Sequence, residues 1–336
     1  MNRAVLWLTL LGAMVLSFGA VLLAQQQPAE AASAPRGLGA RIELAPNDPA
    51  KIDEFSTMVG AKPPVVMWFS SWAFCTPYSQ TLTEGCFGRA EMDAVASRGA
   101  TPMVTWQPWD PRLEGQKQPR FALATIVAGK HDAYIRKWAR DAKAWGKPMY
   151  LRFAHEMNGT WYPRSPGLNG NTASQYVAAW KRARAIFRQE GATNVKWVWS
   201  PYVACYRCTP FYKVYPGNTQ VDWVALDGYN WGTSQPGTRW QSMAQVFGAS
   251  YDKVTALAPT KPFMIAEVAS TEEGGDKAAW IRNGFLRDVP NRLPKTRAIV
   301  WFHRNKVTNW RVDSSEASLT AYEEVVASPD YQGRLP

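Results

Sequence analysis

Glu156 follows the run Tyr150-Leu-Arg-Phe-Ala-His, and Glu267 follows Lys261-Pro-Phe-Met-Ile-Ala. A short apolar run of this kind reads as a buried parallel strand. A carboxylate at its carboxyl end points to the face where a barrel collects its chemistry. Two carboxylates meeting there are the minimum equipment for breaking a glycosidic bond. One protonates the leaving oxygen and the other attacks or assists at the anomeric carbon.

The elements that must carry them alternate along the chain. Strands are expected at Gly39 to Leu44, Val65 to Phe69, Thr101 to Trp106, Met149 to Phe153, Val195 to Trp199, Trp223 to Leu226, Phe263 to Ala266 and Ala298 to Phe302. Eight such segments separated by helical stretches predict an α/β fold, a (β/α)8 TIM barrel forming a single catalytic domain. Ile135, Trp138, Ala142 and Trp145 recur at helical spacing before Gly146 and Pro148. Thr172 with Gln175 reads as a capping box for a helix that buries Val177, Trp180 and Phe187 and stops at Gly191. Further covering helices are expected from Gln241 to Leu257 and from Asp276 to Arg287. His131 reads as a surface or capping residue at a helix start, and His303 as a loop residue within reach of the groove mouth.

Polar and aromatic residues gather just after the expected strand ends: Trp72, Gln107, Trp109, Asp110, His155, Glu156, Tyr202, Asp227, Tyr229, Glu267, Trp301 and His303. In a barrel these positions converge on one opening. With 46% hydrophobic residues and 17 tryptophans, the chain has enough for a substantial core and for aromatic walls on which a sugar packs its C–H face. Asp110 and Asp227 read as acceptors for sugar hydroxyls or as loop-stabilising groups.

Residues 1–31 read as a signal peptide or signal anchor. A positive start is followed by an apolar stretch from Ala4 to Ala24 and by Ala29-Glu30-Ala31 as a cleavage site. Cleavage would leave an amino terminus near Ala32, whereas an uncleaved stretch in residues 4–24 is long enough to anchor the protein in a membrane. Residues 32–336 form the catalytic domain, expected to act as a secreted or extracytoplasmic monomer. The net charge of +11 is scattered, without the dense basic run and interleaved aromatics of a nucleic-acid surface. It reads as a solvated exterior, with attraction to an acidic polymer as the other reading. In an exported protein the four cysteines are expected as two local disulfides, Cys75 with Cys86 and Cys205 with Cys208, rather than as a zinc site. No metal and no organic cofactor is required.

The segment Phe153-Ala-His-Glu-Met-Asn-Gly-Thr-Trp-Tyr162 closely resembles the acid/base segment of glycoside hydrolase family 26. Leu226-Asp-Gly-Tyr-Asn-Trp231, Pro262-Phe-Met-Ile-Ala-Glu267 and Val300-Trp-Phe302 support the likeness. The resemblance implies a retaining endo-β-glycosidase acting on a polysaccharide, with Glu156 as general acid/base and Glu267 as nucleophile. It also implies that Tyr229 bonds to the nucleophile and that His155, Trp161 and Trp301 line the subsite of the sugar being cleaved. The chemistry asks for the same division: Glu156 must hold a proton near neutral pH, helped by Trp161 and ionised Glu267, and Glu267 must stay charged.

Members acting on mannan often carry a histidine after the third strand, where this chain has Thr105-Trp-Gln-Pro-Trp109. That segment is more similar to the family's mixed-linkage β-glucanases and its less-characterised members. The resemblance therefore implies a mannan endo-1,4-β-mannosidase as the larger class and a β-1,3-1,4-glucanase as the alternative. A transglycosylase working on the producer's own exopolysaccharide would use the same residues. A non-catalytic carbohydrate-binding barrel would not need both carboxylates.

Overall fold

The computed structural model describes residues 35–74, 86–113 and 115–335. Eight parallel strands close into a barrel in sequence order: β1 Gly37–Ile42, β2 Val65–Ser71, β3 Thr101–Gln107, β4 Met149–Phe153, β5 Val195–Trp199, β6 Trp223–Asn230, β7 Phe263–Ser270 and β8 Thr296–His303. β1 pairs with both β2 and β8, so no edge is left open. A two-stranded hairpin, β9 Asn305–Lys306 and β10 Thr308–Asn309, rises beyond β8. The residues before 35, where the signal is expected, lie outside the described residues. No helix among the described residues is long and apolar enough to cross a membrane.

Four strands depart from the sequence reading in a way that matters. β1 begins at Gly37 and ends at Ile42, because Leu44 takes a left-handed φ of 66° and leaves the sheet. β6 and β7 run four residues further than expected, so Asp227, Tyr229 and Glu267 lie within strands and not after them. The pairing continues through Asp227↔Glu267 and Tyr229↔Ala269 after a register shift at Leu226/Asp227. β8 likewise extends to His303. Strand ends were read where apolar character stops, but inside this barrel the polar side chains bond to one another and the ladder need not end.

The covering helices follow their periodicity. The helix Asp132–Trp145 buries Tyr134, Ile135, Trp138, Ala142 and Trp145 and stops at Gly146, whose φ is 76°. Thr172 and Gln175 form the reciprocal capping box at the start of Ala173–Glu190. Ser242 and Gln245 repeat it before Met243–Leu257. Asp276 caps Lys277–Asn283, after which a wide π turn spans Gly284–Asp288 instead of regular helix. His131 occupies the cap position of its helix but is buried and caps nothing. Its Nε2 pairs with the Arg120 carbonyl at 2.9 Å and the Thr125 hydroxyl at 3.1 Å.

Strand alternation sorts the aromatic residues. Trp106 and Phe153 point out of the barrel into a layer shared with Trp138 and Phe187 of the helices, while their neighbours Thr105 and Arg152 point in. Trp72 joins this outer layer, 4.7 Å from Trp106 and 5.8 Å from Phe153 between ring centres. Trp301 is also an outward residue, packed on Trp280, Phe285 and Tyr322 with its indole N–H donating to the Trp310 carbonyl at 2.8 Å. Both tryptophans are fully buried, so neither lines the opening as the sequence suggested. Trp72→Ala and Trp301→Ala should each cost about 3–5 kcal/mol and lower the thermal midpoint by roughly 5–15 °C in scanning calorimetry. Trp109→Ala, at the pocket wall, should leave the midpoint nearly unchanged.

Candidate active site

Arg152 is wholly buried at the inward side of β4. A lone charge there would be prohibitive, so the fold surrounds it with partners. Its Nε donates to the Thr105 hydroxyl at 2.9 Å, one Nη donates to Asp227 at 2.7 Å, and the other donates to Glu267. Asp227 also accepts from Ser200 at 2.7 Å. Burial alone would lower the guanidinium's pKa, but the Asp227 and Glu267 charges override it and hold the group protonated. Tyr229 donates to the second oxygen of Glu267, and burial with the Glu267 charge keeps that phenol protonated. Glu267 thus faces the opening with donors on both oxygens.

Glu156 is reached by an abrupt turn at the end of β4. Ala154 and Glu156 take left-handed φ values of 47° and 51°, a conformation that side chains with Cβ avoid and that surrounding structure must enforce. The Ala154 N–H donates to the Trp106 carbonyl at 2.9 Å and the Glu156 N–H to the Ser200 carbonyl at 2.8 Å. Asn158 ties the turn to the loop after β5, donating to the Tyr202 carbonyl and accepting from the Tyr202 N–H. Trp161 folds back so that its indole N–H donates to Glu156 at 2.6 Å. Gly159 permits this, since a Cβ there would overlap the Trp161 ring.

The two carboxyl groups sit in opposite settings. Burial first, and the charge of Glu267 second, raise the Glu156 pKa to about 7, against the opposing indole N–H. His155 is pushed well below its ordinary value by burial and by Arg152 and Arg164, so it stays neutral. Its Nδ1 lies 2.9 Å from an Arg164 N–H, which makes Nδ1 the acceptor, and Nε2 stands 4.0 Å from Glu267. His155, Asp227 and Glu267 bring ligand-type atoms within 4.8 Å of one another. The Arg152 guanidinium already bonds both carboxylates and supplies the cation there.

Glu156, Glu267, Tyr229, Trp161, Gln107 and Trp109 line one pocket of about 860 Å³ at the carboxyl end of the barrel. His155 lies beneath its floor, buried between Phe69 and Tyr162. Asp227 does not reach the pocket and is committed to Arg152 and Ser200. Asp110 is likewise buried and paired with Arg112 at 2.8 Å. His303 points away, edge-on to Phe55, with Nδ1 accepting from the Val312 N–H. Cys205 and Cys208 form a disulfide in the loop after β5. Cys75 lies outside the described residues, and with it the expected pairing to Cys86.

Sequence reasoning missed Phe302 and Trp310 as pocket walls, and Arg152 and Arg164 altogether. Arginine inside the apolar run Tyr150-Leu-Arg-Phe was the available signal, because a buried cation demands carboxylates nearby. A carbon-detected NMR titration of Glu156 tests the electrostatics. The midpoint should lie near 7 in the native protein, fall in Glu267→Gln, which removes a repelling charge, and rise in Trp161→Phe, which removes a donor favouring the ionised form. An ordinary carboxyl midpoint in all three would contradict this account.

The profile of "Glycosyl hydrolase family 26" matches residues 127–309. Endoglucanase H of Acetivibrio thermocellus is 39% identical over 297 residues, covering 87% of this chain and 30% of that protein. A mannan endo-1,4-beta-mannosidase of Bacillus subtilis is 28% identical over 181 residues, covering 52% of this chain and 44% of that one. The chain therefore spans less than half the length of these relatives. Among solved structures, the catalytic domain of a Bacillus sp. JAMB-750 endo-beta-1,4-mannanase superposes with a TM-score of 0.65 at 17% identity, covering 89% of this chain and 88% of that one. A Bacillus subtilis mannanase gives 0.62 at 18%, covering 87% and 85%. At these identities the superpositions speak to the barrel fold.

Proposed function

From the premise that this chain belongs to glycosyl hydrolase family 26, we propose that it is an endo-acting hydrolase of a β-glucan that works with retention of configuration. The observation that carries this reading is the pair of carboxyl groups in one pocket, Glu156 with its pKa raised to about 7 and Glu267 engaged by donors on both oxygens. Glu267 attacks the anomeric carbon as Glu156 gives its proton to the departing oxygen, so the C–O bond breaks and a glycosyl ester forms. Glu156, now a carboxylate, takes a proton from water; that water attacks the same carbon and Glu267 leaves. Arg152 and Tyr229 hold Glu267 in place through both steps, and the aromatic walls exclude water from around the ring.

Endoglucanase H, matched over 87% of this chain, supports glucan as the substrate. Gln107 and Trp109 at the end of β3 favour a mixed β-1,3-1,4 linkage, by their likeness to the family's glucanases. A second reading is β-1,4-mannan, favoured by the mannosidase relatives. Release of reducing ends from mixed-linkage glucan but not from mannan supports the first, and the reverse result selects the second. Products longer than the substrate in the presence of an acceptor sugar would indicate transglycosylation. We further propose that the barrel works outside the cytoplasm, a setting that suits the Cys205–Cys208 bridge. A mature amino terminus near Ala32 would support secretion, and full-length protein in the membrane fraction would support anchoring instead.

The two carboxylates should leave different kinetic traces. Because the acid must be protonated, kcat/KM should fall as pH rises through about 7, and Glu156→Gln should lose that limb together with about 10²–10⁴ in rate. An aryl glycoside with an acidic leaving group needs little protonation, so Glu156→Ala should still form the ester from it. Glu267→Ala should be inactive on both, with azide restoring turnover to a product of inverted configuration. Equal loss on both substrates in Glu156→Ala, or a retained azide product, would reverse or remove these roles.

A further inference from the structure

One flank of the pocket carries charge that bond cleavage does not use. β1 and β8 pair so that Arg41 stands beside Phe302, and both line the pocket. The Arg41 guanidinium lies over the Phe69 and Phe302 rings, 5.9 and 5.6 Å from their centres. Its Nε and Nη1 are buried, yet neither meets an acceptor among the described residues. Arg304 and Lys306 line the same wall just beyond β8, with Lys306 presented by the β9–β10 hairpin. That hairpin turns at Val307, a β-branched residue held at a φ of 68°. The acid among them, Glu43, is bonded to Arg304 at 3.2 Å. Glu267 is already taken by Arg152 and Tyr229.

We propose that this flank is a subsite for a carboxylate carried by the sugar chain, on a uronate unit or an acidic substituent, next to the point of cleavage. The proposal rests on reading the pocket as a polysaccharide cleft. Glu43 offsets part of the positive charge through Arg304, and neutral sugar hydroxyls would add nothing against what remains on Arg41 and Lys306. The repulsion is felt within the protein: after burial, the neighbouring Arg304 is the next cause that lowers Arg41 to about 10, with Glu43 and Glu267 opposing it. A carboxylate on the substrate, reaching the pocket side of Arg41 and Lys306, would offset their charge, and charge-assisted bonds to arginine are the strong ones. The chain's net charge of +11 would draw such a polymer in.

The test uses the full chain with Glu156→Gln to prevent turnover, titrated calorimetrically with three probes. These are fragments of mixed-linkage glucan, the same fragments lightly oxidised at C6 to uronates, and the same fragments bearing succinyl half-esters. At least one acidic probe should bind about tenfold tighter than the neutral one. The preference should shrink at high salt and disappear when Arg41→Gln and Lys306→Gln are added; which acidic probe wins distinguishes the two sources. Lys306 is exposed, so Lys306→Gln alone should weaken the preference without affecting folding. Equal or weaker binding of both acidic probes, or a preference that survives both substitutions, would overturn the proposal. Hydrolysis of neutral glucan by the native protein reads separately. Cleavage without acidic preference sinks only this subsite, and preference without cleavage of any polymer sinks only the hydrolase reading.

Discussion

The buried guanidinium of Arg152 is the constraint on which the rest of the pocket depends. It joins Thr105 on β3, Asp227 on β6 and Glu267 on β7 from a position on β4, crossing the barrel interior. An ion cluster so far from water contributes little net stability over a well-packed apolar replacement, but losing one member leaves the others exposed to the full cost of burial. The strands are thereby held in one register around the carboxylates. The bonds to Arg152 and Tyr229 also fix which oxygens of Glu267 are engaged and where it can reach.

Glu156 is governed by the opposite logic. Its neighbours are an indole N–H, a strained turn and the negative charge of Glu267, and among the described residues Arg152 and Arg164 act on it only from a distance. Two identical carboxyl groups in one pocket are thus driven apart, one toward keeping its proton and the other toward accepting hydrogen bonds. This division comes from the strands that present them. β7 delivers Glu267 into a nest of donors, whereas the turn after β4 swings Glu156 up against Trp161.

Much of this was legible in the sequence. The eight strands, the Thr172 capping box and the stop at Gly191 follow from local physics, and the structure shows each close to where it was expected. Glu156 and Glu267 were found for the same reason, as carboxylates ending apolar runs. The facing of residues near strand ends was not legible. Trp301 and Phe302 are adjacent aromatics on β8, and a shift of one position decides which of them meets the pocket. Trp72 was misplaced similarly, since a tryptophan after a strand serves a wall or an outer layer equally well. Asp227 reads as a sugar acceptor or a loop-stabilising group, because its partner Arg152 is 75 residues away in the chain and no local pattern links the two.

In the proposed reaction Glu267, held by Arg152 and Tyr229, forms a covalent bond to the sugar. Incubation with 2-deoxy-2-fluoro disaccharyl fluorides of gluco and manno configuration, followed by peptide mass mapping, tests it directly. A single adduct is expected, located on Glu267, with loss of activity in step with labelling. An adduct on Glu156, or unlabelled protein that turns natural polymer over with inversion, would contradict it.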